Sequence, residues 1–145
     1  MINAFRSVDQ DFAPGDNVIF DTPPALVLGN ITYDFATGEF TLGDAGVYEV
    51  SYGLRIDEIA TVDSYPFAVF VNDVLVPQSA YQFRLVTAPD GPEVMETISF
   101  LININAGDVL HIEYLGLQFG GAAAIIALPP PPIDKSAYIV IKRVA

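Results

Sequence analysis

The segment Val47–Asp57, which reads VYEVSYGLRID, determines the fold class of this chain. Its residues alternate between two faces. The apolar face comprises Tyr48, Val50, Tyr52, Leu54 and Ile56. The opposite face comprises Glu49, Ser51, Gly53 and Arg55. Strict alternation with aromatic and β-branched residues is typical of a strand that buries one side. The segment therefore predicts a long strand with a single core-facing side.

Other segments extend this pattern in both directions. Thr97–Asn105 and Val109–Leu115 also alternate, whereas Phe67–Val71 and Ala137–Ile141 are apolar on both faces. Gly38 lies between two short strand-like runs and predicts a hairpin with a positive-φ residue. No stretch shows the helical period, and turn residues recur every 8–12 residues or so. The pattern predicts an all-β sandwich or jelly roll, as a single domain over residues 1–145.

Composition restricts the possible partners. The 145 residues carry a net charge of −12, contain no Cys and are 52% hydrophobic. Such acidity disfavours nucleic acid as a partner, and the lack of Cys excludes thiolate chemistry. No apolar run approaches the roughly 18 residues of a spanning helix, and the first residues do not resemble a secretory signal. Since soluble domains are typically about 45–50% apolar, the excess predicts an oligomer interface and no membrane insertion.

A recognisable motif surrounds the first strand. Tyr33 is separated by six residues from Phe40, which is separated by five from Gly46. Alternating residues then follow at Tyr48, Val50 and Tyr52. This order resembles the globular head family of complement subcomponent C-one-q, which is related to tumour necrosis factor.

The resemblance continues along the chain, with some departures. The turns Asn72-Asp73 and Ala106-Gly107-Asp108 resemble those of the family, and Tyr138–Lys142 occupies the place of its closing strand. Thr22 and Leu28 stand where the family has Phe and Asn or Asp, and Val50 replaces its usual Phe. These departures resemble bacterial members, including the C-terminal heads of collagen-like spore-surface glycoproteins.

The resemblance implies a ten-stranded jelly roll of two five-stranded antiparallel sheets that assembles as a homotrimer. In such trimers, the outer face of one sheet turns towards the three-fold axis. Because the closing strand is apolar and Tyr suits interfaces, we expect the subunit contact to include residues of two segments. The candidates are Tyr138, Ile139, Ile141, Phe100 and Leu101.

Catalytic patterns are missing from the sequence. His111 is the single histidine and shares a strand face with Glu113, which predicts a solvated side chain. A facial triad or a cupin-type site would require a second histidine, and no Gly-X-Ser-X-Gly elbow occurs. We therefore expect a protein that is not an enzyme and has no cofactor.

Calcium is the one metal ion that the sequence leaves open. Calcium prefers several carboxylate and carbonyl oxygens, which acidic loops can supply. The candidate ligands are Asp57, Glu58, Asp63, Asp90 and Glu93. Their spacing matches no dedicated calcium loop, so solvated turn acids are the alternative interpretation.

Two functional classes follow. The chain is either a structural trimerisation and display head on a bacterial cell or spore, or a recognition module for a carbohydrate or protein. A collagen-like stalk and surface-layer proteins are the expected partners of the first. Gly120–Leu128 contacts either a partner or a neighbouring subunit, and Pro129–Pro132 is either a stiff crossover or a polyproline ligand.

Overall fold

The computed structural model describes residues 1–8, 10–22, 27–57, 65–83, 94–116, 123–125 and 137–145, with backbone alone for 55–57, 65–66, 81–83, 94–96 and 123–125. These residues contain twelve strands and a 3₁₀ turn at Pro77–Ser79. The strands are β1 Ile2–Arg6, β2 Gln10–Phe12, β3 Ile31–Asp34, β4 Glu39–Leu42, β5 Gly46–Asp57, β6 Tyr65–Val71, β7 Val74–Leu75, β8 Tyr81–Phe83, β9 Val94–Ile104, β10 Asp108–Tyr114, β11 Ala123–Ile125 and β12 Ala137–Arg143.

The strands form two antiparallel sheets. In the first sheet, β5 pairs with β9 on one side and with β12 and β11 on the other, and these pair in turn with β1 and β2. In the second sheet, the order is β3-β4-β10-β6-β7, with β8 also paired to β6. The predicted jelly-roll sandwich is confirmed. Each sheet contains six of the described strands, where the sequence predicts five.

The core lies between the sheets and follows the predicted alternation. Tyr48, Val50, Tyr52 and Leu54 are at most 1% exposed, as the pattern of β5 predicts. Leu110, Ile112 and Tyr114 of β10 are fully buried opposite them. Burying an aliphatic or aromatic side chain of this size contributes about 1.5–3 kcal/mol each, so this layer is the main source of stability.

The motif residues have specific structural roles. Tyr33 and Phe40 are cross-strand partners in the β3–β4 hairpin, with ring centroids 4.5 Å apart. The Tyr33 hydroxyl accepts a hydrogen bond of 2.6 Å from the Phe20 amide. At Gly46, a Cβ would lie 2.3 Å from the Ala145 carbonyl oxygen, so only glycine lets the C-terminal segment pass. Gly38 has φ of 77°, which confirms the predicted positive-φ turn.

Candidate functional site

The outer face of the first sheet is the candidate functional site. Its strands β1, β12, β5 and β9 lie side by side, and every second residue points away from the core. The register aligns these outward residues in rows across the sheet. One row runs Phe5–Tyr138–Gly53–Thr97, and the next runs Asn3–Val140–Ser51–Ser99.

Tyr138 crosses the central strand. Its Cα is paired with Gly53 on β5, yet its hydroxyl lies 2.6 Å from Thr97 Oγ1 on β9, one strand further away. The phenol side chain therefore lies over Gly53, which is itself buried. The absence of a side chain at Gly53 makes room for the ring, and the hydrogen bond fixes its direction.

Polar groups on this face are paired with one another. Ser51 Oγ and Ser99 Oγ lie 2.5 Å apart across β5 and β9. In the following row, Lys142 Nζ lies 4.0 Å from Glu49 Oε2. Because these groups have partners within one chain, covering the face with protein would not leave them unsatisfied.

An apolar hollow lies at one end of the same face. Its volume is about 430 Å³, and its lining consists of Glu49, Ser99, Phe100, Leu101 and Val144. Leu101 is 60% exposed and Val144 is 45% exposed, so both present apolar surface to solvent in a single chain. Exposed apolar surface around a hollow favours contact with a second molecule.

The predicted interface residues divide between the two faces. Tyr138 and Leu101 lie on the outer face, as an interface requires. The expectation for Ile139 and Ile141 is wrong, because both are 0% exposed in the core of their own chain. Phe100 is half-buried and packs against that core. The physical reason is the two-residue period of a strand, which puts Tyr138 and Val140 outside whenever Ile139 and Ile141 are inside.

The acidic candidates for calcium stand mostly outside the described residues. Asp57 ends β5, where only its backbone is described, and Glu58, Asp63, Asp90 and Glu93 lie outside the described ranges. Within those ranges, no three Asp, Glu or His side chains are grouped closely enough to hold a metal ion. Calcium binding therefore stays a prediction.

His111 is not the solvated residue that the sequence predicts. It is 4% exposed on the outer face of the second sheet, where its ring stacks on Phe70 with centroids 5.4 Å apart and planes 2° apart. Its Nε2 lies 3.6 Å from Glu113 Oε2. Alternation predicts the correct face for His111. It does not predict burial, because Phe70 covers the ring from the neighbouring strand, and the register between these strands cannot be read from the sequence.

The hydroxyls of Tyr33, Tyr48 and Tyr52 hydrogen-bond to backbone groups. Burial raises the pKa of Tyr33 to about 12, against the lowering effects of the Phe20 amide and Arg6. Burial also raises the pKa of Tyr48, Tyr52 and Tyr114. The Tyr52 hydroxyl donates to the Ser79 carbonyl oxygen at 2.8 Å. These phenols stay protonated at neutral pH, because burial disfavours the phenolate.

Sequence reasoning missed the pairing of polar residues on the outer face. Alternation puts Thr97, Ser51 and Ser99 at outward positions, but the register determines that Ser51 meets Ser99 and that Thr97 meets Tyr138 of β12. A signal was present in Gly53, since a glycine inside an alternating strand often marks close approach by another group.

The comparisons with known proteins agree with the architecture. No protein-family profile and no curated protein sequence matches the chain. Among solved structures, the Eiger TNF of S. frugiperda matches with a TM-score of 0.68 and 15% identity, covering 99% of this chain and 91% of that one. The globular domain of the zebrafish complement 1qA protein matches with a TM-score of 0.65 and 13% identity, covering 99% and 96%. Within the described residues, no helix is long and apolar enough to cross a membrane. The chain thus has the jelly-roll fold that tumour necrosis factor and complement heads share.

Proposed function

We propose that this chain is a non-enzymatic head that assembles as a homotrimer through the outer face of its first sheet. The observation that supports it is the combination of exposed Leu101 and Val144 with polar groups that are already paired within one chain. Burial of such a face gains hydrophobic free energy, and few polar groups lose water without a partner. The fold, which is that of the complement and tumour necrosis factor heads, supports a three-fold arrangement.

The biological setting belongs to the same proposal. The motif from Tyr33 to Tyr52, with its departures at Thr22, Leu28 and Val50, supports a bacterial head on a cell or spore surface. In that setting the trimer caps or nucleates a filament, with a collagen-like stalk or surface-layer proteins as its partners. A symmetric trimer suits this role because its three copies of one end can join three strands of a stalk.

A recognition module is the second candidate. One observation favours it: the outer face of the second sheet is acidic and partly apolar. Self-association through the first sheet would leave this face accessible. Three copies of a weak site on one trimer bind a multivalent surface with avidity. Display and recognition are compatible, since they use opposite faces of the sandwich.

The test of the proposal is the absolute mass in solution, measured by light scattering after size exclusion, in calcium and in chelator. We expect about 47 kDa in both conditions, three times the chain mass of 15.6 kDa. Dissociation in chelator alone would show that calcium bridges the subunits and would support a calcium-dependent recognition module. A mass of 15.6 kDa in both conditions would contradict self-association.

A further inference from the structure

Charge is divided unequally between the two sheets. The described basic residues Arg6, Lys142 and Arg143 all belong to strands of the first sheet, and so does Arg55 of β5. The outer face of the second sheet has Asp34, Glu39 and Glu113 and, within the ranges that the structure describes, neither Lys nor Arg. In the described part of the chain, the outer face of the second sheet therefore carries three carboxylates and no Lys or Arg to balance them.

A strip of apolar surface crosses the same face. The register puts His111 of β10, Phe70 of β6 and Leu75 of β7 in one row. The rings of His111 and Phe70 are stacked, and Leu75 beside them is 40% exposed. Apolar surface of this kind can pack against an aliphatic side chain or the stem of a long cationic one.

A depression lies at the acidic end of this strip. It has a volume of about 270 Å³ and is lined by Glu39, Asn72, Asp73, Val109 and His111. Glu39 comes from the start of β4, whereas Asp73 comes from the β6–β7 turn, so the two carboxylates belong to different elements. Half-buried Val109 supplies apolar surface, whereas His111 in the same lining is almost completely buried.

The Asn72 side chain makes this depression rigid. Its Nδ2 donates to Asp108 Oδ1 at 2.8 Å, and its Oδ1 accepts from the Val109 amide at 2.9 Å. Both polar atoms of Asn72 are thus used to join the β6–β7 turn to β10. Asp73 is the next residue of this turn and has φ of 61°, a conformation that costs a non-glycine residue free energy. The ordered turn therefore places the backbone of Asp73 at the edge of the depression.

We infer that the outer face of the second sheet docks a basic segment of a partner protein. An Arg or Lys side chain of that segment enters the depression between Glu39 and Asp73, with its stem on Val109. An apolar neighbour of that residue packs on Phe70 and Leu75. Charge complementarity selects this occupant, because a guanidinium combines a cation, a flat stacking surface and several donors for carboxylates. This surface is separate from the self-association face, so the inference holds for a monomer as well as a trimer.

The test uses a fluorescein-labelled synthetic peptide in which arginine and leucine alternate over six residues. Its binding is followed by fluorescence anisotropy at physiological salt, because lower salt exaggerates surface electrostatics. The comparison peptide has citrulline in place of each arginine, which keeps the shape and removes the charge. We expect saturable binding of the arginine peptide, one per chain, and at least about tenfold weaker binding of the citrulline peptide.

Matched variants separate a site from the general negative field. Glu39→Gln and Asp73→Asn each remove one charge from the depression, and we expect each to weaken binding by about threefold or more. Asp11→Asn removes one exposed charge from β2 of the first sheet, and we expect it to change the affinity by less than about 1.5-fold. Equal weakening by all three variants would overturn the inference, because net charge alone would then explain binding. Absence of binding at millimolar peptide, or equal binding of both peptides, would also overturn it.

A further measurement keeps this outcome distinct from that of the proposed trimer. The oligomeric mass is determined on each sample by light scattering, and the stoichiometry is expressed per chain. Peptide binding by a monomeric sample supports the docking site and contradicts the trimer. A trimer that binds no peptide supports self-association and contradicts the docking site.

Discussion

The Tyr138 hydroxyl on β12 lies 2.6 Å from Thr97 Oγ1 on β9, although β5 runs between these strands. Neighbouring strands are separated by about 4.8 Å, so the tyrosine must extend over one complete strand to reach its partner. The residue of β5 in the same row is Gly53. The contact thus links three strands through a single side chain and shapes the centre of the outer face.

Gly53→Val should destabilise the fold by about 1–2 kcal/mol, because a branched side chain would displace the Tyr138 ring. At an ordinary strand position this substitution is stabilising, because glycine has poor β-propensity. A decrease in the free energy of unfolding would therefore indicate that the ring occupies the space above Gly53. Urea denaturation of Gly53→Val, Tyr138→Ala and the double variant forms a thermodynamic cycle. In the Tyr138→Ala background we expect the cost of Gly53→Val to disappear. Additive effects would show that the ring does not lie over Gly53.

Leu101→Asp should give a folded chain with a mass of 15.6 kDa, since Leu101 is 60% exposed and its replacement leaves the core intact. Ile139→Asp should instead unfold the chain or cost more than about 3 kcal/mol, because it buries a charge without a partner. Circular dichroism and light scattering distinguish these outcomes. Leu75→Asp is the matched control, being an exposed leucine of the second sheet, and it should leave the mass unchanged. Loss of the trimer in Leu75→Asp as well would place the subunit contact elsewhere.

Neighbouring residues of β12 differ in burial, and they show what an alternating sequence pattern can and cannot predict. Alternation predicted the buried side of β5 from Tyr48 to Leu54, because burial of one face imposes a period of two. In Ala137–Ile141 every residue is apolar, so the sequence lacked the polar residues that would have assigned Ile139 to the core and Tyr138 to the surface. The stacking of His111 on Phe70 depends on the alignment of two distant strands, which a single sequence does not specify.

Asp73→Gly should stabilise the chain by about 1 kcal/mol and raise Tm by about 3 °C, because Asp73 has φ of 61° in a two-residue hairpin that favours glycine there. Differential scanning calorimetry measures this effect. The same variant lacks a carboxylate of the depression and should bind the arginine peptide more weakly, so stability and binding should change in opposite directions. A destabilised variant would show that the Asp73 side chain makes a structural contribution larger than the strain.

Asn72→Gly is the control for that turn, since Asn72 also has a positive φ of 50° but uses its side chain twice. Loss of both hydrogen bonds should outweigh the relief of strain and lower Tm. The hydrogen bond from Asn72, followed by that from the Asn105 amide, lowers the pKa of Asp108. Asn72→Gly should therefore shift the Asp108 titration, followed by NMR, towards the ordinary aspartate range. An unchanged titration would contradict the role of Asn72.

Tyr33 should ionise with a pKa of about 12, well above the ordinary tyrosine value of about 10, because burial disfavours the phenolate. Its folded pKa is raised, so the stability that this group contributes is complete below about pH 10 and is lost as the pH rises towards 12.

Tyr33→Phe should remove one ionisation from the alkaline absorbance titration. It should also destabilise the chain at neutral pH by about 1–3 kcal/mol, because the Phe20 amide loses its acceptor. Between pH 10 and 12 the stability difference between the two chains should decrease, since the variant has no phenol to ionise on unfolding. A constant difference over that range, or loss of a transition near pH 10, would show that Tyr33 is solvated.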